Sequence, residues 1–333
     1  MKFENMALLA LNLKLFDGNG NTNVTTDDGL TAEMKTYYSD YLIDQAEAKL
    51  VHNQFGQKRP IPEGKGKTVE FRKYDPLPKL TTELSEGVTP DGQKINMGIT
   101  NATVKQYGGY VELSDILLLT AIDNNLTQAT KLLGSQAGRT LDTITRETLN
   151  GGTNVQYGNG TILSRDSITK DHKLTVDCIR RAVRNLKVMN AEPYDDSFVA
   201  IIHPDCAYDL MSDPEWKYPH QYADTENIYT GEIGKVAGVR FVETTEAKVF
   251  AGAGKDGIDV YSTLVIGDNA YGVIEISGGG LEHIVKQLGS SGTADPLNQR
   301  ATAGWKATSA TVRLVEAYML RIETASTFDV GAN

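Results

Sequence analysis

Apolar positions change their spacing several times along this chain, and each change predicts a different kind of element. Between Thr31 and Gln54, the residues Met34, Tyr38, Leu42, Ala46 and Leu50 recur at three- and four-residue steps, the mark of an amphipathic helix. The stretches "GKTVEFRKYD" (Gly66–Asp75) and "ITNATVKQYGGYVELS" (Ile99–Ser114) read instead as two strands, the second returning on the first. The more than twenty residues between them are rich in Pro, Gly and Glu and offer little to bury. A connection of that length inside a compact fold is functional or disordered, and a two-stranded ribbon is marginal on its own in water. The pattern predicts a long hairpin arm that rests on another surface. Arg72 in its first strand and Lys79, Glu83, Glu86, Asp91 and Lys94 towards its tip favour a polar surface.

Ser114 is placed to cap a helix. Ile122, Leu126, Ala129, Leu133, Ala137, Leu141, Ile144 and Thr148 then step by three and four until "NGG" at Asn150 stops the run. An unbroken helix from Ser114 would be about 50 Å long, with "DNN" at Asp123–Asn125 as a point of interruption. Its narrow apolar face, centred on Leu126, Leu133, Leu141 and Ile144, suits a spine more than a globule.

Further on, the spacing becomes that of a compact α/β body. "LTVDCIRRAVRNLKVMNA" is amphipathic with Leu174, Cys178, Ala182, Leu186 and Met189 inward. "SFVAIIH" reads as a buried strand, and "PDCAYDLMSD" as a short helix with Pro204 in its first turn. "VRFVETT", "DVYSTLVIG" and "YGVIEIS" are strands. The tail from Ala301 to Ser326 is β-rich, with helix and strand both open around Val312–Ala317. Residues 1–30 lack a domain's pattern and read as an arm.

The chain has 333 residues, a prior for about two domains. Its formal charge of -10 argues against binding nucleic acid by neutralising phosphates. Two cysteines, Cys178 and Cys206, are too few for a disulfide framework and point to a reducing compartment. The longest apolar runs, "MALLAL" and "ILLLTAI", fall far short of a membrane span, and Glu4 and Lys14 argue against a secretory signal.

Candidate chemistry is sparse. The glycines of "YTGEIGKVAGVRFVETTEA" resemble a phosphate cradle, but Tyr229 stands where a P-loop needs its first glycine and Val236 where it needs a hydroxyl, and the strand follows the glycines where a dinucleotide fold has it before them. "AGAGKDG" fails on the same spacing. Asp17, Asn19, Asn21, Thr25 and Asp28 fit part of a calcium-loop template, with Thr22 where glycine is wanted and Asp28 where a glutamate reaches bidentately. His172, Cys178, His203 and Cys206 have zinc-ligand chemistry, although Cys178 faces the core of its helix. Arg180, Arg181, Arg184 and Lys187 make a basic helix face, either solvated or paired with a neighbour's carboxylates. No carboxylate dyad, G-x-S-x-G or H-E-x-x-H occurs.

With an arm, a hairpin and a spine in this order, the chain resembles the tailed-phage major capsid proteins of the Hong Kong 97 (HK97) fold, and locally the branch typified by coliphage N-four. The residues that carry the resemblance are "LVHNQFGQKRPIPEGKGKTVEFRKYDPLP", "LSEGVTPDGQKI", "LTVDCIRRAVRNLK", "FVAIIHPDCAYDLMSDPEW", "GEIGKVAGVRFVET" and "ADPLNQRATAGWKA", spread over Thr31–Ser326. It implies an α+β fold with an N-terminal arm (1–30), a P-domain (31–65 and 113–170) holding the spine, an E-loop hairpin (66–112), an A-domain (171–275) and C-terminal strands (276–333) completing the P-domain. Gly231, Gly234 and Gly238 would then lie in a loop near the capsomer axes, where backbone freedom serves slightly different surroundings. The implied protein is no enzyme and needs no cofactor or metal. Assembled in the host cytoplasm, many identical copies would form the virion capsid, with portal, scaffolding and decoration proteins as partners and double-stranded DNA enclosed without specific binding or any membrane. The short N-terminus points to a separate scaffolding protein. Lys65, Lys67 and Lys79 lie in the arm from which some relatives crosslink, with no basis for choosing a pair. Other readings are an encapsulin-type compartment shell of the same fold, a nucleotide-dependent enzyme built on residues 171–290, and a calcium-dependent surface protein.

Overall fold

The computed structural model describes Thr22–Asn23 and residues 51–329, apart from 63, 75, 84–85, 88, 90, 122–124, 217–233, 277–280 and 291–294. In chain order its elements begin with β1 (Thr22–Asn23), β2 (Gln57–Ile61), β3 (Thr68–Tyr74), β4 (Met97–Thr103), β5 (Lys105–Ser114), α1 (Asp115–Thr120), α2 (Asn125–Asn150) and β6 (Val155–Tyr157). There follow α3 (Val176–Val188), β7 (Phe198–Ile202), α4 (Pro204–Ser212), β8 (Lys235–Val236), β9 (Val239–Glu243) and β10 (Val249–Phe250). The last are β11 (Val260–Ile266), β12 (Tyr271–Ile276), β13 (Glu282–Lys286), β14 (Arg300–Arg313) and β15 (Met319–Thr324). The tail ambiguity resolves as strand to Arg313 and then a 3-10 turn, Glu316–Tyr318. No helix among the described residues is long and apolar enough to cross a membrane.

The chain divides into two units. In the smaller, β1 runs parallel to β5 and β13 pairs antiparallel with the first half of β14. Ser114 does cap α1, its hydroxyl accepting from the Leu117 amide at 3.3 Å. Leu113, Leu117 and Ala129 form the core of this unit, and Trp305 Nε1 donates to Gln136 Oε1 at 3.1 Å.

The larger unit is built on a mixed sheet in the order β6-β15-β11-β7-β9-β8. All residues of β7, β11 and β15 are buried, which requires cover on both faces. The two-residue period supplies it. Phe198, Ala200, Ile202, Tyr261, Val265, Leu320 and Ile322 face α3 and α4, while Ile201, Leu264, Ile266 and Met319 face Val51, Leu149, Tyr271 and Val273. α3 forms because Thr175 caps it, Asp177 opens it and Lys187 closes it, each charge agreeing with the helix dipole. Its Val176, Cys178, Ile179, Ala182, Val183 and Leu186 are buried.

A further sheet segment, β2–β12–β14, anchors the hairpin β3–β4. Phe71 of β3 packs with Ile61, Ala102, Val104, Ile274 and Ala310. Gly272 admits it, since a Cβ there would come within 2.8 Å of the Phe71 ring. Burying a side chain of that size is worth about 1.5–3 kcal/mol, so the root of the hairpin is secured on its own subunit.

Within α2 the sequence expectation needs correction. Leu133 is buried as expected, but Leu141 and Ile144 are only half-buried, and the Leu126 side chain lies outside the described residues. The face that turns inward past Gly138 is polar: Asp142, Thr145, Arg146 and Asn150 are buried beside Leu149. Arg146 donates to the Glu246 carbonyl at 2.8 Å and Asn150 accepts from the Ser262 hydroxyl at 2.5 Å, while Asp142 and Thr145 form a latch on residues 51–55. Asp142 accepts from the His52 amide at 2.8 Å and lies 2.7 Å from His52 Nδ1, while Thr145 donates to Asn53 Oδ1 at 2.5 Å. Tyr271 closes the latch by donating to the His52 carbonyl at 2.5 Å. With residues 122–124 outside the described set, α1 and α2 stand as separate helices, and the expected helix over Thr31–Gln54 lies outside it as far as Leu50.

Candidate assembly surface

Beyond its root the hairpin leaves the core. β3 and β4 pair in full register from Thr68↔Thr103 to Tyr74↔Met97, and Gln93 Nε2 donates to the Pro78 carbonyl at 3.2 Å, so the two sides of the connection still run close together there. Arg72 is exposed and donates to Glu70 at 3.2 Å. Lys79, Glu83, Glu86, Asp91 and Lys94 are all exposed. Among the described residues none of these five has an ion-pair partner. Charge is only half of the surface, however. Tyr74, Leu77, Leu80, Ile95, Met97 and Ile99 are also exposed, Leu80 at 75% and Ile95 at 69%. The arm's own surface is thus amphipathic, where the charges alone predicted a polar one. Counting only charges hid a signal that "YDPLPKL" and "INMGI" carried in plain view.

The glycine loop gives a local result. Lys235↔Arg240 and Val236↔Val239 leave Ala237–Gly238 as a two-residue turn, with φ of +52° and +80°. Two positive φ angles define a type I′ hairpin, which glycine at the second position accommodates. Gly234 leads into β8, and Gly231 lies outside the described residues, as do Asp17, Asn19, Asn21, Thr25 and Asp28 of the calcium-like pattern.

The residues with zinc-ligand chemistry have other tasks. His203 Nδ1 caps α4 by accepting from the Asp205 amide at 3.2 Å, and Cys178 and Cys206 are buried free thiols. His172 Nδ1 accepts from the Thr169 amide at 2.9 Å. The Tyr261 ring lies 5.2 Å from that of His203, and its hydroxyl is 2.9 Å from both the Asp205 carboxylate and the Phe328 carbonyl. Burial lowers the pKa of His203, with Asp205 opposing. The folded state therefore holds this ring neutral, while the unfolded chain takes up a proton near pH 6.5. The linked stability is complete above that pH and is lost as pH falls below it. Comparison of melting temperatures at pH 7.5 and 5.0 should show a smaller acid loss in His203→Asn than in the parent. Equal losses would remove His203 from the account.

On the outer side of α3, Arg180 pairs with Glu215 at 2.6 Å and Arg181 with Asp177 at 2.7 Å. Arg184 reaches only the neighbouring Asn185 Oδ1, at 3.2 Å, and Lys187 has no ion-pair partner among the described residues. Beside them opens a groove of about 440 Å³ lined by Tyr157, Ile162, Leu163, Arg181, Arg184 and Gln156 among others.

Buried charge, a second feature that sequence reasoning missed, sits inside the sheet. Glu323 is fully buried on β15 and takes two hydrogen bonds from Arg165, at 2.6 and 2.7 Å, with Arg321 Nε 2.7 Å away. Arg165 also lies over the Phe250 ring at 3.6 Å, and its hydrogen bonds to Glu323 raise its pKa. The contacts are structural, and the described residues hold no group of three or more potential metal ligands.

An anchored hairpin whose amphipathic tip stands exposed, on a mixed α+β body, has the form of a structural subunit. The comparisons give that class its family. Residues 98–320 match the phage capsid protein family, and the chain belongs to it. It is a structural protein of the virion capsid, not an enzyme, and works in many copies. No curated protein sequence matches it significantly. Its HK97-like fold is shared with the capsid of Ralstonia phage GP4, with a TM-score of 0.68 at 15% identity over 94% of this chain and 100% of that one. The capsid of cyanophage P-SCSP1u gives 0.67 at 14% identity, covering 92% and 98%. The acid-stable capsid of Helicobacter pylori bacteriophage KHP30 gives 0.60 at 12%, covering 98% and 99%.

Proposed function

We propose that this chain is the major capsid protein of a tailed phage, in the branch typified by coliphage N-four, and that it closes into the pentamers and hexamers of an icosahedral head around double-stranded DNA. Residues 66–112 act as the E-loop, 171–275 as the A-domain, and α2 as the spine of a P-domain completed by the C-terminal strands. The loop holding Gly231, Gly234 and Gly238 faces the capsomer axes. Portal, scaffolding and decoration proteins join the shell, which is built in the host cytoplasm.

The observation that carries this reading is the hairpin: its root is packed on its own subunit, and its distal part displays apolar side chains that water does not favour. Heterologous contacts between identical copies turn such an arm into a ring-forming device. Many interfaces of modest area sum to a stable container while each stays weak enough to correct errors. The net charge of -10 suits a container that confines nucleic acid without gripping it.

Electron microscopy of cells expressing the chain with its flanking genes tests the reading. Closed, uniform shells are expected, with DNA inside once packaging genes are present. Dispersed subunits under every condition would refute it, and shells enclosing an enzyme in place of DNA would favour a cellular compartment.

A further inference from the structure

We propose that the outer edge of β13 pairs with itself: the five residues Glu282–Lys286 of one copy lie antiparallel to the same five of a second, centred on Ile284, and this joint ties one capsomer ring to the next. The linking of rings rests on the ring-forming role just assigned to the chain; the pairing rests on the strand alone. The first half of β14 lies between β5 and β13, and β13 runs in register with it from Glu282↔Lys306 to Lys286↔Thr302 without a bulge. Among the described residues no strand pairs with the far side of β13. Such an edge is a template for a further strand, and proteins that keep one unpaired blunt it with proline or a bulge. "LEHIVKQL" has no proline. It also exposes Leu281, Ile284 and Val285, the last two at 40% and 41%.

The order of the side chains selects the occupant. The two-residue period puts Glu282, Ile284 and Lys286 on one face of β13 and His283 and Val285 on the other. Glu282 and Lys286 stand equally far from Ile284 and carry opposite signs. Turned about a two-fold axis through Ile284, the strand meets its own complement. Glu282 faces Lys286 of the partner subunit, Ile284 faces Ile284 of the partner subunit, and Val285 faces the partner subunit's His283. Directly opposed side chains in an antiparallel pair have Cβ atoms about 4.5–5.5 Å apart, close enough for both ion pairs to form. Lys286 is exposed and has no ion-pair partner among the described residues. Lys306 holds Glu282 Oε2 at 3.0 Å, which leaves Oε1 for the partner's Lys286. The joint thus carries a Lys–Glu–Lys row, and symmetry repeats it. Other registers fail: a two-residue slip sets a charge against Ile284, and in-register parallel pairing sets glutamate against glutamate. A two-fold contact is complete with two copies and cannot run round a ring, so it joins copies of different rings.

Charge reversal tests the register. Lys286→Glu should raise the protein concentration for half-maximal shell formation by about tenfold or more, because both cross-strand pairs become repulsive. Free rings should accumulate, and the melting temperature of the free subunit should stay unchanged. The triple variant E282K/K286E/K306E inverts every sign in the row and should bring assembly back to near the parent concentration. Assembly of Lys286→Glu at the parent concentration would hand the edge to a different protein and overturn the proposal. So would a triple variant that melts like the parent and still fails to recover. Ile284→Cys gives a second readout. Across the two-fold axis the two Cα atoms at position 284 lie about 4.5–5.5 Å apart, within disulfide reach, and the native thiols are buried. Oxidised shells should run on a denaturing gel as covalent dimers, and monomers alone overturn the pairing. The parent chain separates the two levels. If it forms neither rings nor shells, the reading as a head subunit falls; dimers of oxidised Ile284→Cys in solution then uphold the strand pairing by itself, and monomers remove both.

Discussion

Removal of Pro78–Lys94 is expected to abolish shell formation and to shift the melting temperature of the free subunit by no more than about 2 °C. The reasoning starts from where the hairpin's burial lies. Phe71, Ala102 and Val104 hold the root, and the Lys67 carbonyl accepts from the Val104 amide at 2.8 Å. None of these is touched by the deletion. Beyond Tyr74 the large side chains are exposed, so the isolated subunit loses little stabilisation with them. Pro78 and Gln93 are in contact, so the two sides of the connection run close together, and a short Asn-Gly turn is used to rejoin Leu77 and Ile95. In the assembled state the same residues are the bridging surface, and each copy would lose its hold on the next. Calorimetry of the subunit and sedimentation of the assembly reaction read the two effects separately. A large fall in subunit stability would mean that the arm folds onto its own body, and shells forming at the parent concentration would mean that it bridges nothing.

Replacing Glu323 by Ala is expected to destabilise the larger unit by about 3–5 kcal/mol, about 10 °C in melting temperature. This carboxylate is fully buried, accepts both Arg165 hydrogen bonds and faces Arg321. Truncation leaves Arg321, nearly buried, and the partly exposed Arg165 without this carboxylate, and that stranded charge, more than the lost attraction, sets the size of the effect. Glu323→Gln keeps the shape and one acceptor and should fall between. The control is Glu282→Ala, which breaks an exposed pair with Lys306 and should cost less than about 1 kcal/mol. If the Glu323 and Glu282 variants melt together, the buried cluster contributes nothing of the kind described.

Much of this architecture was legible because single residue patterns had single explanations. The α3 stripe of Leu174, Cys178, Ala182 and Leu186 is buried as its spacing predicts, although Met189 beyond the helix end is exposed and not inward, and the unbroken apolar run Phe198–Ile202 needs cover on both sides. The hairpin was legible from length alone. What escaped was polar burial. In the second half of α2, apolar spacing pointed to Leu141 and Ile144, yet the helix turns Asp142 and Thr145 inward because they hold the segment around His52, and Arg146 because it donates to the Glu246 carbonyl. A hydrophobic period cannot announce a hydrogen-bonded latch whose other half lies some ninety residues away. Glu323 escaped for the same reason: "RIET" looks like any alternating strand until Arg165 is brought across to it. On the arm the error ran the other way. Charged residues drew the eye from Leu77, Leu80 and Ile95, and the surface is amphipathic.

Both thiols of the chain, Cys178 and Cys206, are sealed in the interior, and desolvation raises the pKa of Cys206 far above that of an ordinary cysteine, so it stays protonated and inert. A particle made of many copies multiplies every rare side reaction by its copy number. One stray sulfur–sulfur bond between misaligned subunits would freeze a growth mistake that annealing should erase. Keeping the oxidisable atoms out of reach leaves each lattice bond breakable until the shell is complete.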